Sequence, residues 1–256
     1  MPPSPSQLPV QVPVDEPILN KPYDVPEWHW VYGADGVANK MPGRRPAAYF
    51  WSGRQAGDRQ GGLEGIEADV GSERLTLVNA LRQDVAKWRA SGYENATVTT
   101  KKLLAHWHEK NRPRRFFFCQ LEAVETIIYL REILASGRKP RWGTVVSPDD
   151  YKKLSQEVLQ QLSGKIEGDD GLASTSLPLT LADQPNNPNL KALVRHGCKM
   201  ATGSGKTIVM GMLISWAFCN RGAVPGDTRF PSAVLVCCPN LTVKERLEVL
   251  KPDSKE

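Results

Sequence analysis

Residues 203–207, GSGKT, have the types and the order of a loop that holds the phosphates of a nucleotide. Glycines let the backbone turn its N–H groups toward phosphate oxygens at the N-terminus of a following helix. In that arrangement Lys206 reaches the β- and γ-phosphates, and the hydroxyl of Thr207 binds Mg²⁺. The Walker A pattern is incomplete, because its first glycine position holds Met200. The alternative is a glycine-rich turn before a core helix, without a ligand.

The segments that flank this phosphate loop predict an α/β fold. Residues 193–200 predict a short strand before it, and residues 207–218 predict a buried helix after it. Residues 233–238 (AVLVCC) predict a second buried strand, followed by a turn at Pro239 and a helix that begins near Thr242. Strand, loop, helix and strand in this order predict a parallel βαβ unit around the phosphate loop.

The runs KMATGSGKT and VLVCCPNLTVKERL, separated by an apolar helix, resemble motifs I and Ia of superfamily 2 DEAD/DEAH-like helicases. They are particularly similar to those of the Res (R) subunit of type III restriction systems, the helicase family shared with UvrB. In that family methionine or alanine is ordinary at the position of Met200. The resemblance implies a partial RecA-like P-loop domain, with ATP and Mg²⁺ as cofactors and Lys206 and Thr207 as catalytic residues.

The run RRFFFCQLEAVE is similar to the Q motif of the same helicases. The resemblance implies that Gln120 reads the adenine edge while Phe117 stacks on the ring. An amide side chain suits this role, since it offers both donors and an acceptor. The alternative is a plain core residue at the N-terminus of a helix. The nucleotide-binding residues implied by the two motifs are Phe117, Gln120, Gly203, Ser204, Gly205, Lys206 and Thr207.

Motif Ia touches the nucleic-acid backbone in this family, and the resemblance implies double-stranded DNA as the partner. It places Pro239, Asn240 and Thr242 at the DNA, with Lys244 and Arg246 as phosphate partners. The alternative for the two cations is a solvated helix face.

A second group of cations lies earlier in the chain, interleaved with aromatic residues, and could also follow a phosphate backbone. Ordinary solvated charges are the alternative. The residues are Lys101, Lys102, Trp107, Arg112, Arg114, Arg115 and Phe116 to Phe118.

The sequence after the phosphate loop contains no acidic pair at the end of an apolar strand, which an ATPase of this class needs at its Mg²⁺ site. We therefore interpret the chain as the N-terminal ATP- and DNA-binding portion of a helicase or translocase, lacking motif II and the second motor domain. The remaining motor domain or a modification subunit would be its protein partner. The alternative is a truncated, non-catalytic nucleotide- or DNA-binding protein.

Three regions are expected along the chain. Residues 1–26 form a proline-rich arm, and residues 27–113 form an accessory region. Within the latter we predict a β-hairpin turning at Asp35-Gly36, a helix over 72–90 ending at Gly92, and a helix capped by Thr99 or Thr100 that ends before Pro113. Residues 114–256 form the incomplete RecA-like domain, with a third helix that ends at Gly137 and an insertion at about 137–189.

Composition favours a cytoplasmic protein. No apolar stretch is long enough to cross a bilayer, and the formal net charge of +5 permits a nucleic-acid partner without requiring one. The five cysteines show no CxxC spacing, so we expect reduced core residues. They are Cys119, Cys198, Cys219, Cys237 and Cys238.

Overall fold

The computed structural model describes residues 15–32, 37–52, 70–148, 196–238, 244–245 and 247–251. The chain divides into two compact units, Met1–Ala80 with Ser155–Leu179 and Leu81–Leu154 with Thr180–Glu256. The elements are β1 (Trp28–Tyr32), β2 (Ala38–Pro42), β3 (Ala48–Ser52), β4 (Val70–Arg74), α1 (Thr76–Ala90), α2 (Val98–Trp107), α3 (Phe118–Ile128), a π-helical turn (Tyr129–Leu134), α4 (Lys206–Ala223) and a 3₁₀ turn (Glu248–Leu250).

The first unit contains the predicted hairpin. β1 and β2 pair in antiparallel register from Trp28 opposite Pro42 to Tyr32 opposite Ala38, which confirms it, although turn residues 33–36 lie outside the described ranges. A second antiparallel pair, β3 with β4, was not predicted. The helix expected from residue 72 was therefore placed too early. Residues 70–74 satisfy their backbone groups in this ladder, and α1 begins only at Thr76.

The helices of the second unit follow the predicted periodicity. On α1, Leu81, Val85 and Trp88 are buried, whereas Val78, three residues before Leu81, is exposed. Gly92 ends the helix as predicted, with a left-handed φ of +69°.

The cap of α2 differs from the prediction. Thr97, not Thr99 or Thr100, accepts the N–H of Thr100 through its hydroxyl at 3.0 Å. The helix ends at Trp107, with His108 as its C-cap, well before Pro113.

The predicted third helix is confirmed as α3, and it continues into the π-helical turn before Gly137 adopts a φ of +74°. Leu121, Val124 and Ile128 are buried along it. Helices α2 and α3 both pack against α4, and the aromatic rings of Trp88 and Tyr129 lie 5.5 Å apart in the core. The insertion predicted at 137–189 lies mostly outside the described residues.

The predicted helix after the phosphate loop is confirmed as α4, but the strands around it are not. Residues 196–200 and 233–238 are described and join no ladder, and Leu235 is 87% exposed. The two predicted strands are therefore wrong over these residues. An apolar run becomes a strand only where a neighbour pairs its N–H and C=O groups, and the described ladders are the two antiparallel pairs. The RecA-like βαβ core stays a prediction.

The cysteines are free, but the prediction that they lie in the core is wrong. Cys119, Cys198, Cys219 and Cys237 are exposed, and Cys238 is half-buried. The core prediction was based on the apolar residues next to these cysteines in sequence, which do not determine whether a side chain is buried. Cys237 and Cys238 lie in the segment that joins no ladder, and Cys219 is on the outer side of α4. Among the described helices, none is long and apolar enough to cross a membrane.

Candidate nucleotide site

The phosphate loop turns on two left-handed glycines. Gly203 has a φ of +79° and Gly205 a φ of +81°, a region in which a Cβ atom meets the backbone and costs roughly 1–2 kcal/mol. Gly205 is the N-cap of α4, so Lys206 and Thr207 begin the helix directly after it. The first N–H groups of a helix lack intrahelical acceptors, and the helix dipole is positive there. The loop therefore presents backbone donors at a helix N-terminus.

The side chain of Lys206 folds back onto the same loop. Its Nζ donates to the backbone carbonyl of Ala201 at 2.9 Å, and this carbonyl also accepts the Ser204 hydroxyl at 2.7 Å. Lys206 is exposed. A phosphate group could compete for its ammonium, since a charged acceptor makes a stronger hydrogen bond than a neutral carbonyl.

Gln120 connects the start of α3 to the phosphate loop. Its Oε1 accepts the backbone N–H of Phe117 at 2.9 Å, which caps the helix, and its Nε2 donates to the carbonyl of Ser204 at 2.9 Å. The residue is 3% exposed. The structure thus brings together two predicted site residues that are 84 positions apart in sequence. This contact gives Gln120 a structural role, whichever of its two interpretations holds.

Close packing adds a second reason for glycine at position 205. A Cβ atom built there would lie 2.2 Å from Nε2 of Gln120, whereas one at Gly203 would meet nothing within 4 Å. Any side chain at 205 would displace the Gln120 amide. The loop conformation and the position of Gln120 therefore depend on each other.

Comparison with protein-family models, curated proteins and solved structures finds no match. The interpretation of the site rests on its own residues and geometry.

The predicted metal role of Thr207 remains a prediction. Thr207 is half-buried in the first turn of α4. Within the part of the chain that the structure describes, no cluster of three or more His, Cys, Asp or Glu side chains could hold a metal ion. A Mg²⁺ ion at the loop would take most of its ligands from phosphate and water, as this ion commonly does.

Most of the predicted DNA contacts lie outside the described residues. Pro239, Asn240, Thr242 and Arg246 are among these, so their role stays a prediction. Lys244 is described, and it is exposed and helical, with its carbonyl accepting the N–H of Leu247 at 3.0 Å. Phe117 is half-buried at the entrance of α3, and the structure shows its backbone contact with Gln120.

A buried polar cluster that the sequence analysis missed fixes α4 against α2. Glu132 accepts hydrogen bonds from the Thr97 N–H, from the Thr100 hydroxyl at 2.8 Å and from the Trp216 indole at 3.2 Å. Asn220 donates to the Thr100 hydroxyl at 3.0 Å. Two of these side chains come from α4, so the cluster holds the helix that carries the phosphate loop. Its sequence signal is weak: a single acid in the apolar run YLREIL and an asparagine late in an apolar helix.

A second missed cluster surrounds Glu125, five residues after Gln120 on α3. Its carboxylate is fully buried and accepts hydrogen bonds from Arg89, from the Tyr93 hydroxyl at 2.7 Å and from His108 Nε2 at 2.9 Å. Burial opposes the charge, but the bonds from Arg89 and His108 outweigh it and hold the pKa of Glu125 below its ordinary value. Burial and the neighbouring carboxylate raise the pKa of Tyr93, which stays neutral. The cluster joins α1, the C-cap of α2 and α3.

Proposed function

We propose that the chain is the ATP- and DNA-binding portion of a superfamily 2 helicase-like translocase. In this proposal the phosphate loop holds the triphosphate, and Gln120 reads the adenine. The observation that supports it best is the hydrogen bond from Gln120 Nε2 to the Ser204 carbonyl. That bond joins the two segments that resemble the Q motif and motif I, although 84 positions separate them in sequence.

The residues of the loop would bind a nucleotide by exchanging partners. Lys206 would leave the Ala201 carbonyl for the β- and γ-phosphates, and the first N–H groups of α4 would receive phosphate oxygens. Thr207 would hold a Mg²⁺ ion, which neutralises charge on the phosphates. Gln120 has one Nε2–H and one Oε1 lone pair beyond its two described bonds. The free Nε2–H could donate to N7 of adenine, and the free lone pair of Oε1 could accept from the adenine amino group.

The finer parts of the proposal follow the resemblance alone. They are a restriction-system R subunit as the parent protein, a cytoplasmic location, duplex DNA as the track, and the remaining motor domain or a modification subunit as partner. Hydrolysis in this class needs an acidic pair beside Mg²⁺. We therefore expect the 256 residues alone to bind ATP and to turn it over slowly, with or without DNA.

A second candidate function is nucleotide or DNA binding without hydrolysis in any assembly. It is favoured by one observation: residues 233–238, expected as a core strand of the motor, join no described ladder and are largely exposed. The two candidates separate when the chain is mixed with a supplied fragment that carries both the motif II acidic pair and the second motor domain. Only a helicase portion would gain DNA-stimulated ATP turnover.

Binding of a fluorescent ATP analogue tests the proposed site. Lys206→Ala should weaken binding roughly 10–100-fold, the value of a charge-assisted hydrogen bond of about 1.5–3 kcal/mol. Thr207→Ala should reduce the Mg²⁺ dependence of binding. Lys87→Ala, an exposed cation on α1, is the matched control and should bind as the wild type does. Unchanged binding by Lys206→Ala would overturn the assignment of the phosphate loop.

A further inference from the structure

The positive charge of the chain is concentrated in one short segment. Residues 98–118, which comprise α2 and its connection to the start of α3, contain six cations and one carboxylate, Glu109. This formal excess of five equals the net charge of the whole chain, +5. We call the segment the basic segment. Its cations are Lys101, Lys102, Lys110, Arg112, Arg114 and Arg115.

These charges face the solvent. Lys101 and Lys102 are exposed on α2, which buries Leu104 and Trp107, and Arg114 is exposed in the connection. Among the described residues, no carboxylate pairs with any of these three cations, and Glu109 bonds His106 at 3.2 Å instead. The described carboxylates thus do not neutralise these three cations, and the surface that carries them stays positive.

One cation of the segment is held in place before any partner binds. The guanidinium of Arg112 lies 4.7 Å from the ring centroid of Phe116, and it donates to the carbonyl of His106 at 3.2 Å. A fixed guanidinium loses less side-chain entropy when it binds an oxyanion. The exposed side of α2 is about 15 Å long for its ten residues, which is long enough to meet several phosphates.

The aromatic residues of the segment argue for backbone contact instead of base stacking. Proteins that grip single strands offer exposed rings on which bases stack. Trp107 is 6% exposed and belongs to the core, while Phe116 is half-buried beneath Arg112. Trp107 and Phe116 therefore have structural roles, and the groups of the segment that remain available to a ligand are its cations.

We infer that the basic segment binds the phosphate backbone of duplex DNA, through residues other than those at 239–246 that resemble motif Ia. Neither the phosphate loop nor a bound nucleotide is needed for this contact. The segment includes Phe117 and ends two residues before Gln120, whose side chain bonds both Phe117 and the phosphate loop. DNA bound to the segment would therefore lie close in sequence to the residue that contacts this loop.

The experiment measures anisotropy of a fluorescent 20-base-pair DNA over a series of salt concentrations. The test variant is Lys101→Gln, Lys102→Gln, Arg114→Gln. The control variant, Lys21→Gln, Lys87→Gln, Lys251→Gln, removes the same charge from exposed positions elsewhere. Each phosphate contact contributes about 0.9 to the slope of log K against log salt, so loss of three cations should remove about 2.7 from this slope. Its affinity should fall about tenfold or more, while the control stays within about twofold.

Three outcomes would overturn the inference. Equal losses in both variants would mean that only net charge matters, and no loss in the test variant would remove the surface. Tighter binding to a dT20 strand or to polyglutamate than to the duplex would identify a single strand or an acidic protein as the partner.

The variant Lys101→Arg, Lys102→Arg keeps both positive charges and should therefore retain DNA binding. Binding of the ATP analogue is measured in the same samples. It tests the phosphate loop independently of DNA, and retained binding also shows that the variant is folded.

Discussion

Gln120 donates a hydrogen bond from Nε2 to the backbone carbonyl of Ser204, with 2.9 Å between the two atoms. The same amide accepts the N–H of Phe117, so the N-terminus of α3 and the phosphate loop are held by one side chain. A glutamine that only capped α3 would need the bond from the Phe117 N–H and not the bond to the Ser204 carbonyl. The bond to Ser204 is what makes α3 part of the candidate nucleotide site.

Gly205→Ala should destabilise the chain more than Gly203→Ala. Both substitutions place a Cβ at a positive φ, which costs roughly 1–2 kcal/mol, but only the one at 205 also displaces the Gln120 amide. Loss of the Gln120 hydrogen bond adds about 1 kcal/mol. Urea unfolding of the two variants measures the difference in the free energy of unfolding.

A double-mutant cycle identifies the contact responsible. In a Gln120→Ala background the clash at Gly205 is absent, so Gly205→Ala should cost no more than Gly203→Ala. An undiminished cost in that background would show that the two residues are not coupled.

Glu132→Ala should destabilise the second unit strongly. The substitution leaves the half-buried Thr97 N–H and the buried Thr100 hydroxyl without their acceptor, and the Trp216 indole keeps only the Thr100 hydroxyl oxygen. Each such loss costs about 1–3 kcal/mol, so we expect about 3 kcal/mol or more in the free energy of unfolding. Thermal or urea unfolding measures it.

Glu109→Ala serves as the control for this prediction. Its carboxylate is exposed and bonds only His106 among the described residues, a surface pair worth about 0–1 kcal/mol. Similar losses from both substitutions would show that the buried cluster does not stabilise α4.

The Glu125 cluster should make stability depend on pH in the acid range. The folded state lowers the pKa of Glu125, so the unfolded chain binds the proton more readily. The stabilisation is fully present above the unfolded value, about 4.3, and is lost as the pH falls through the lower folded value. Urea-unfolding midpoints between pH 7 and pH 3 should fall more steeply for the wild type than for Glu125→Gln. Parallel curves for the two proteins would contradict the assignment.

The sequence predicted the local elements better than their assembly. The apolar positions Leu121, Val124 and Ile128 recur at helical spacing, and Gly92 and Gly137 end helices in the left-handed conformation that glycine favours. These features depend on neighbours within a few positions, which is why they could be predicted from a single chain.

Features that depend on distant partners could not be predicted. Residues 233–238 have the composition of a buried strand, yet no described ladder includes them, because composition does not supply a pairing neighbour. The acceptor role of Glu132 needs donors from α2 and α4. The residues of the phosphate loop were visible in sequence, whereas the bond from Gln120 to Ser204 required the structure.

The central claim is that Gln120 and the phosphate loop form one adenine-nucleotide site. Displacement of a bound fluorescent ATP analogue by Mg-ATP and by Mg-GTP, in the wild type and in Gln120→Ala, tests it most directly. A matched pair of hydrogen bonds to a base discriminates by about 1–3 kcal/mol, so ATP should displace the analogue at a concentration at least about fivefold lower than GTP. In Gln120→Ala this preference should disappear. An unchanged preference in the variant, or equal displacement by ATP and GTP in the wild type, would contradict the account.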